Sequence, residues 1–552
     1  MKHVMFWVLG RIHRRIPLMA LMTLAHMGQA ALGVAFALGS RGVIDGAVSG
    51  DGVAFRQACL IQCAIILALL LCQVIHRHLR ELLNAEMDRD WKADLLHGIL
   101  HSDYASVSGY HSGELLNRMN NDVRILNTGL LEALPNVAAL LTKLIAAMAV
   151  LTALEPWFAM MICACGIAVI LVTGFLRRNL KKLHKLVSEQ EGRVSGFLQE
   201  VVEKLLMVQS LDVSREVERR AGILMENRFR LQRKRKNASL VAGTCIQILS
   251  QFAGFAALIW CGAKLLRGQL SIGSLTAVTQ LVSQLQAPFA NLSAIFPKYV
   301  AMIAAAERLK ELTDLMPEAE PLAQAGELLY PRLRTIQAEE LSFAYDRDVL
   351  LDHANFEIPK GSFLVITGQS GIGKSTLLKL LLGVYHPCSG GLYLNLGDGK
   401  LPVDRSVRRL FAYVPQGNLL LSGTIRENLL IPKPNATESE IQQAIYVSGM
   451  DEYISQLPKG LDTVLGEDGA GLSEGQAQRL ALGRAILGGA PVLLLDESTS
   501  ALDEETERKV LGRIRELSNR TCIAVTHRRA SIELCDYHLH IEPGNVTVKK
   551  VR

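Results

Sequence analysis

A chain of 552 residues is too long for one ordinary core, so two or more domains are expected. Apolar residues make up 49% and charged residues 20%, too apolar for an ordinary soluble protein and too polar for one immersed entirely in lipid. The net charge of +6 is carried in short basic clusters beside apolar runs, not along one face, which argues against nucleic acid as a partner.

In chain order, the first apolar run is Ile16–Gly39, preceded by Arg11, Arg14 and Arg15. It is too long for a signal h-region and has no clear cleavage site, so it reads as a membrane span that also targets the chain. Further runs follow at Ala58–Ile75, Leu134–Leu154, Trp157–Leu176, Ser239–Leu265 and Ile272–Phe296. Six spans are therefore expected, each long enough to cross about 30 Å of hydrocarbon. Arg77 and Arg80, Arg177 to Lys182, and Arg233 to Lys236 flank these runs where the positive-inside rule puts cytoplasmic ends. Lys264 and Arg267 in an outer turn run against it. The ten cysteines show no metal-binding spacing and mostly sit inside apolar runs, as small hydrophobes.

The third and fourth runs are joined by little more than Glu155-Pro156, a tight outer hairpin. The inner connections, 77–133 and 177–238, are long and charged. Each can hold two helices of roughly 40 Å at 1.5 Å per residue, with tips near Tyr104–Ser112 and Gln209–Ser214 that can press on a soluble domain. Gln280, Gln284, Ala287 and Asn291 in the sixth run share one helical face, and Thr244, Gln247, Gln251 and Gly254 form a similar stripe in the fifth. Two readings stay open for these stripes: a polar passage, or hydrogen bonding between helices. Lys143 and His26 are further polar residues within spans.

After the sixth run a helix continues to Arg308, and Pro317, Glu318, Glu320 and Pro321 then mark a linker. From Thr335 short β-type runs alternate with helical stretches, the pattern of an α/β nucleotide-binding domain. The expected organisation is a membrane α-helical domain over 1–308, a linker over 309–334 and an α/β P-loop NTPase cassette over 335–552.

Within the last part, Gly368-Gln-Ser370-Gly371-Ile-Gly373-Lys374-Ser375 matches G-x-x-x-x-G-K-[ST] without a mismatch and lies between a strand, Phe363–Thr367, and a helix beginning at Lys374. Glycines let backbone N–H groups approach phosphate oxygens at a helix N-terminus. Lys374 is expected on the β- and γ-phosphates, Thr376 beside it in the cradle, and Ser375 on Mg²⁺. The apolar run Val492–Leu495 reads as a strand buried on both faces. Asp496 at its end is expected to hold Mg²⁺, and Glu497 to act as the general base that polarises the attacking water.

Leu472-Ser473-Glu474-Gly475-Gln476 is weak alone, but beside these blocks it resembles the signature of the ATP-binding cassette (ABC) transporters, usually Leu-Ser-Gly-Gly-Gln. Other blocks resemble the same family. Tyr345 falls where an aromatic stacks on adenine. Tyr413-Val-Pro-Gln416 fits the Q-loop, Leu465-Gly-Glu467-Asp468-Gly469 the loop that meets the cytoplasmic helices, Ser500-Ala-Leu-Asp503 the D-loop, and His527 the switch histidine. Gly113 to Asp122, Gly273 to Leu275, Pro288 and Ala304 to Arg308 resemble the membrane half of exporters of this family.

The resemblance implies an exporter half-transporter. Two cassettes would sandwich two ATP molecules, with Ser473, Gly475, Gln476 and Asp503 of one chain closing over ATP held by the other. Gln416 would link Mg²⁺ and the water to the membrane domain. Glu474 departs from the usual glycine, and weaker closure is the most that it implies. The implied partners are a second half-transporter, the same or different, the lipid bilayer and an amphipathic cargo. The implied location is a bacterial cytoplasmic membrane with the cassette in the cytoplasm. An ATP-gated regulatory or channel protein is the alternative, and the presence of both Glu497 and His527 argues against it.

Overall fold

The computed structural model describes residues 2–315, 325–345, 348–417, 420–466, 469–517, 519–542 and 545–552. The linker residues Pro317, Glu318, Glu320 and Pro321, and the loop residues Glu467 and Asp468, lie outside them, as do the side chains of Ala287, Pro288 and Asn291. The chain forms two compact units, one of residues 1–99 and 111–314, the other of 100–110 and 315–552.

Each of the six apolar runs lies within a long helix of the first unit: Ile16–Ser49, Gly52–Leu100, Leu134–Leu154, Pro156–Glu203, Ser214–Leu266 and Ile272–Thr313. Several outlast the runs, because the charged segments continue the helix beyond the apolar stretch. Pro156 starts its helix at a position where the missing N–H costs nothing. Among the described residues, three helical stretches are long and apolar enough to cross a membrane: His3–Ser49, Gly52–Leu100 and Ser112–Leu154. The last carries two π-helical turns, Arg118–Asp122 and Gly129–Ala133. At Gly129 a Cβ would lie 2.4 Å from the Met302 side chain, so only glycine lets the two helices approach there. Small and branched residues form a shared core, in which Ala37, Ala147, Leu151, Phe158, Ala257 and Leu281 are nearly inaccessible.

The expected tips are short helices, Tyr104–Ser108 and Leu205–Ser210. The first belongs to the second unit. There the Tyr104 ring meets Tyr385 edge-on at 5.8 Å, Asp103 lies 3.6 Å from His386, and Arg405 donates to the His101 carbonyl at 3.4 Å.

Among the described residues, twelve strands shape the second unit: β1 Thr335–Tyr345, β2 Asp348–Pro359, β3 Phe363–Gly368, β4 Ser389–Asn395, β5 Lys400–Pro402, β6 Phe411–Val414, β7 Gly423–Thr424, β8 Val464–Leu465, β9 Val492–Asp496, β10 Thr521–Val525, β11 Tyr537–Glu542 and β12 Asn545–Lys550. One sheet runs β12-β11-β3-β10-β9-β6, with β11, β3, β10, β9 and β6 mutually parallel. A second, antiparallel sheet runs β2-β1-β4-β5. Alternation along β3 sorts the core. Leu364 and Ile366 point into the layer between the sheets, while Phe363 and Val365 face the helices Glu438–Ser448, Glu474–Leu487 and Glu504–Glu516. Both faces are covered, which is why β3, β9 and β10 are buried throughout.

Candidate functional site

The parallel strands β3, β9 and β10 end side by side, and their C-terminal edge carries the residues that the motifs singled out. The loop after β3 leads into the helix Lys374–Leu381. Gly371 and Gly373 take φ of 82° and 105°, conformations that L side chains rarely adopt. Ser370 and Gly371 are exposed, whereas Gly373, Lys374 and Thr376 are buried. The Lys374 ammonium donates to the carbonyls of Gly368 and Gln369, both at 2.9 Å, so it closes the loop on itself.

Ser375 donates to Asp496 Oδ1 at 2.8 Å. Asp496 is 2% exposed, and its other oxygen accepts from the Tyr413 phenol at 2.9 Å. Burial, and then the Asp496 carboxylate, push the Tyr413 phenol well above its ordinary value, so it stays a donor at physiological pH. Next to Asp496, Glu497 accepts from Gln416 Nε2 at 2.8 Å. Glu497 has φ +47°, unusual for a non-glycine, and is held from both sides: its N–H donates to Val525 O at 3.0 Å and its carbonyl accepts from Ser500 N at 3.0 Å. His527, two residues beyond Val525, is exposed.

With its proton on Asp496, the Ser375 hydroxyl keeps its lone pairs for a cation. With its amide N–H₂ on Glu497, Gln416 keeps its carbonyl oxygen. Hydroxyl, carboxylate and amide oxygens form the hard donor set that Mg²⁺ selects, so these residues fit that ion.

Not every candidate joins this group. Tyr345 packs edge-on against Phe343 at 5.0 Å and Tyr385 at 5.5 Å. Its side of the domain is the antiparallel sheet, where it ends β1. Ser473 caps the helix Glu474–Leu487: its side chain accepts from Gln476 N at 3.3 Å while Gln476 Oε1 accepts from Ser473 N at 2.8 Å. Among the described residues no hydrogen bond links Ser473, Gly475 or Gln476 to Lys374 or Ser375. Gly475 instead abuts the D-loop, where a Cβ would lie 2.9 Å from Ala501 O. Glu474 is exposed in the first helical turn, where a carboxylate suits the helix dipole. Asp503 caps the helix Glu504–Glu516, and the Thr506 N–H holds its carboxyl below the usual range.

Sequence reasoning assigned no role to Tyr413, although it sits three residues before Gln416 in a motif that drew attention. Removing its hydroxyl frees one oxygen of a buried carboxylate from its only tyrosine donor. Tyr413→Phe is expected to raise the Mg²⁺ concentration for half-maximal nucleotide binding by about tenfold, the equivalent of one hydrogen bond to a charged group. A magnesium titration of nucleotide binding, free of turnover, checks this. An unchanged midpoint would mean that Tyr413 merely packs.

The model of the ABC transporter transmembrane region matches residues 19–289, and that of the ABC transporter matches residues 351–500. An ATP-dependent lipid A-core flippase of Vibrio vulnificus is 31% identical over 442 residues, which cover 79% of this chain and 75% of that protein. The ATP-dependent lipid A-core flippase of Desulfotalea psychrophila is 29% identical over 453 residues, covering 81% and 78%. The solved structure of a bacterial Atm1-family ABC exporter with ATP bound superposes with a TM-score of 0.80 over 97% of this chain and 94% of that one; at 23% identity this likeness shows the fold. The chain thus belongs to the ABC transporters, as an ATP-driven exporter half in which a transmembrane region and an ATPase share one polypeptide.

Proposed function

We propose that two copies of this chain form an exporter of an amphipathic lipid in a bacterial cytoplasmic membrane, powered by two ATP–Mg²⁺ sites at the seam between cassettes. The observation that carries the reading is the paired arrangement at the sheet edge, Ser375 with Asp496 and Gln416 with Glu497. Glu497, His527, Ser473 and Gly475 all stand on one chain, so two copies would make two complete sites. The lipid A-core flippases among its relatives support the cargo class.

In this reading six spans, carried by residues 1–308 and followed by a linker over 309–334, enclose the path, and residues 335–552 burn ATP. The loop N–H groups and Lys374 bind the β- and γ-phosphates. Tyr345 stacks on adenine. Ser375, Asp496 and Gln416 hold Mg²⁺, which when bound offsets the phosphate charge. Glu497 takes the proton from water as it attacks the γ-phosphorus, and His527 contacts the γ-phosphate. Ser473, Gly475, Gln476 and Asp503 of the partner copy close the sandwich, so the closed state is favoured only while the γ-phosphate remains. The helix Tyr104–Ser108, seated on Tyr385 in the second unit, carries that closure toward the long helix Gly52–Leu100.

The test is ATPase activity in proteoliposomes with and without lipid A or a shorter phospholipid. Stimulation of at least about threefold by the lipid is expected. Tyr104→Ala should keep basal hydrolysis within about twofold and lose the stimulation, because it touches coupling and not chemistry. Equal activity with every lipid and with none would overturn the cargo class. Lipid-stimulated turnover in Tyr104→Ala would remove this helix from the path.

A further inference from the structure

Glu507 is a carboxylate with no exposure at all and no part in ATP chemistry. It accepts from Thr499 Oγ1 at 3.0 Å and Ser531 Oγ at 2.9 Å, and pairs with Arg528 at 3.2 Å. Arg528 immediately follows His527, and its guanidinium also donates to the backbone carbonyls of Leu502 and Ser500, both at 2.5 Å. From the opposite side Gln478, on the helix that Ser473 caps and 2% exposed, donates to Ser500 Oγ at 3.3 Å and accepts from Ala501 N at 3.2 Å. Gly475 of the same helix abuts Ala501 O. The D-loop, Ser500–Asp503, is therefore held from two sides, by Arg528 at the carbonyls of Ser500 and Leu502 and by Gln478 at the Ala501 N–H and the Ser500 hydroxyl.

We infer that Arg528 and Gln478 are positioning residues that make the D-loop a rigid link between the signature helix and the switch loop of one cassette. The inference deepens the paired-site reading and rests on it. In that reading the signature turn contacts the partner's nucleotide, and His527 contacts the chain's own. A loop held on one side by an arginine anchored to a buried carboxylate, and on the other by a buried amide, cannot shift without moving both grips. Displacement of the signature turn by the partner's ATP thus reaches His527 through two side chains. Arginine suits the first grip because its fork reaches two carbonyls and a carboxylate at once, which lysine cannot. Glu507, itself fully buried, is the anchor that keeps the fork in place.

Such a link predicts loss of communication rather than loss of binding. Steady-state ATPase of the full-length chain in nanodiscs would be measured as a function of ATP, alongside fluorescent-ATP binding without turnover in a Glu497→Gln background. For the unaltered chain a dependence steeper than one site is expected. In Arg528→Met the Hill coefficient should fall to about 1 and kcat by roughly tenfold, while the nucleotide Kd stays within about twofold. Arg528→Lys keeps the charge opposite Glu507 and should fold like the parent, yet recover only part of the cooperativity. Gln478→Met leaves the ion pair untouched and should flatten the ATP dependence in the same way. If Arg528→Met does not fold, Arg528→Lys and Gln478→Met decide. Variants as cooperative as the parent would overturn the link and leave paired sites standing. A parent that already follows a one-site curve would overturn the paired-site reading instead. A Kd raised in step with the fall in kcat would make Arg528 part of nucleotide binding and also refute the positioning role.

Discussion

Glu497→Gln is expected to cut ATP hydrolysis by about 10²–10⁴-fold, the worth of a general base, and to leave ATP affinity within about twofold. The structure separates the two effects. Glu497 sits at the end of β9 beside Asp496, and its backbone is tied to Val525 O and Ser500 N. Its left-handed φ of 47° stores about 1–3 kcal/mol of local strain, which the surrounding strands hold in place. The substitution changes neither backbone nor shape, and the loop that binds phosphate is built from Gly368 to Ser375. What it removes is the anionic oxygen that now accepts from Gln416 at 2.8 Å and that would take the proton of the attacking water. The variant should therefore collect in the ATP-bound state. Radiolabelled-phosphate release and equilibrium ATP binding on one preparation measure both quantities. Hydrolysis at near-parental rate would refute Glu497 as the base, while a large loss of affinity would mean that its charge holds the nucleotide site together.

The parts legible in the sequence are those whose chemistry dictates residue type. A phosphate cradle needs glycines and a lysine at fixed spacing, and a strand end with two carboxylates needs an apolar run before it. The Ser375–Asp496 contact spans 121 residues yet follows from the two motifs alone. Helices at all six apolar runs were equally legible, since length and hydropathy are local properties. Long-range placement was not. That residues 100–110 fold with the second unit depends on Tyr385 and His386, far away in the chain and silent as motifs. Tyr413, Gln478, Glu507 and Arg528 act only through partners that the topology brings to them. The stripes in the fifth and sixth runs show the limit of periodicity. Gln284 donates to Gly33 O on the helix Ile16–Ser49 at 2.9 Å, an interhelical bond, whereas Thr244, Gln247 and Gln251 are exposed. One helical face, read as a pattern, covers both cases.

Arg308→Met is expected to destabilise the first unit far more than Asp122→Asn, although both remove the same ion pair. Arg308 donates to both oxygens of Asp122, at 2.6 and 2.8 Å, and this hydrogen bonding holds the guanidinium in its charged form. Its carbonyl accepts from Arg118 Nη1 at 2.9 Å, and Arg118 also reaches Glu311 and Glu114, so the helix Ile272–Thr313 is tied here to the π-helical turn at 118–122. The two partners differ in their access to water. The Arg308 side chain is 43% exposed and Asp122 only 1%. Without Asp122 the guanidinium turns to solvent at a cost of about 1 kcal/mol, the scale of an exposed pair. Without Arg308 a carboxylate is left buried and unpaired, which costs about 3–5 kcal/mol. The double variant Arg308→Met/Asp122→Asn should then be more stable than Arg308→Met alone, because the second change removes the stranded charge. Thermal denaturation of the three variants in one detergent gives the order. If Asp122→Asn proves the worse single change, or the second substitution adds damage instead of relieving it, the buried carboxylate is not what the arginine neutralises.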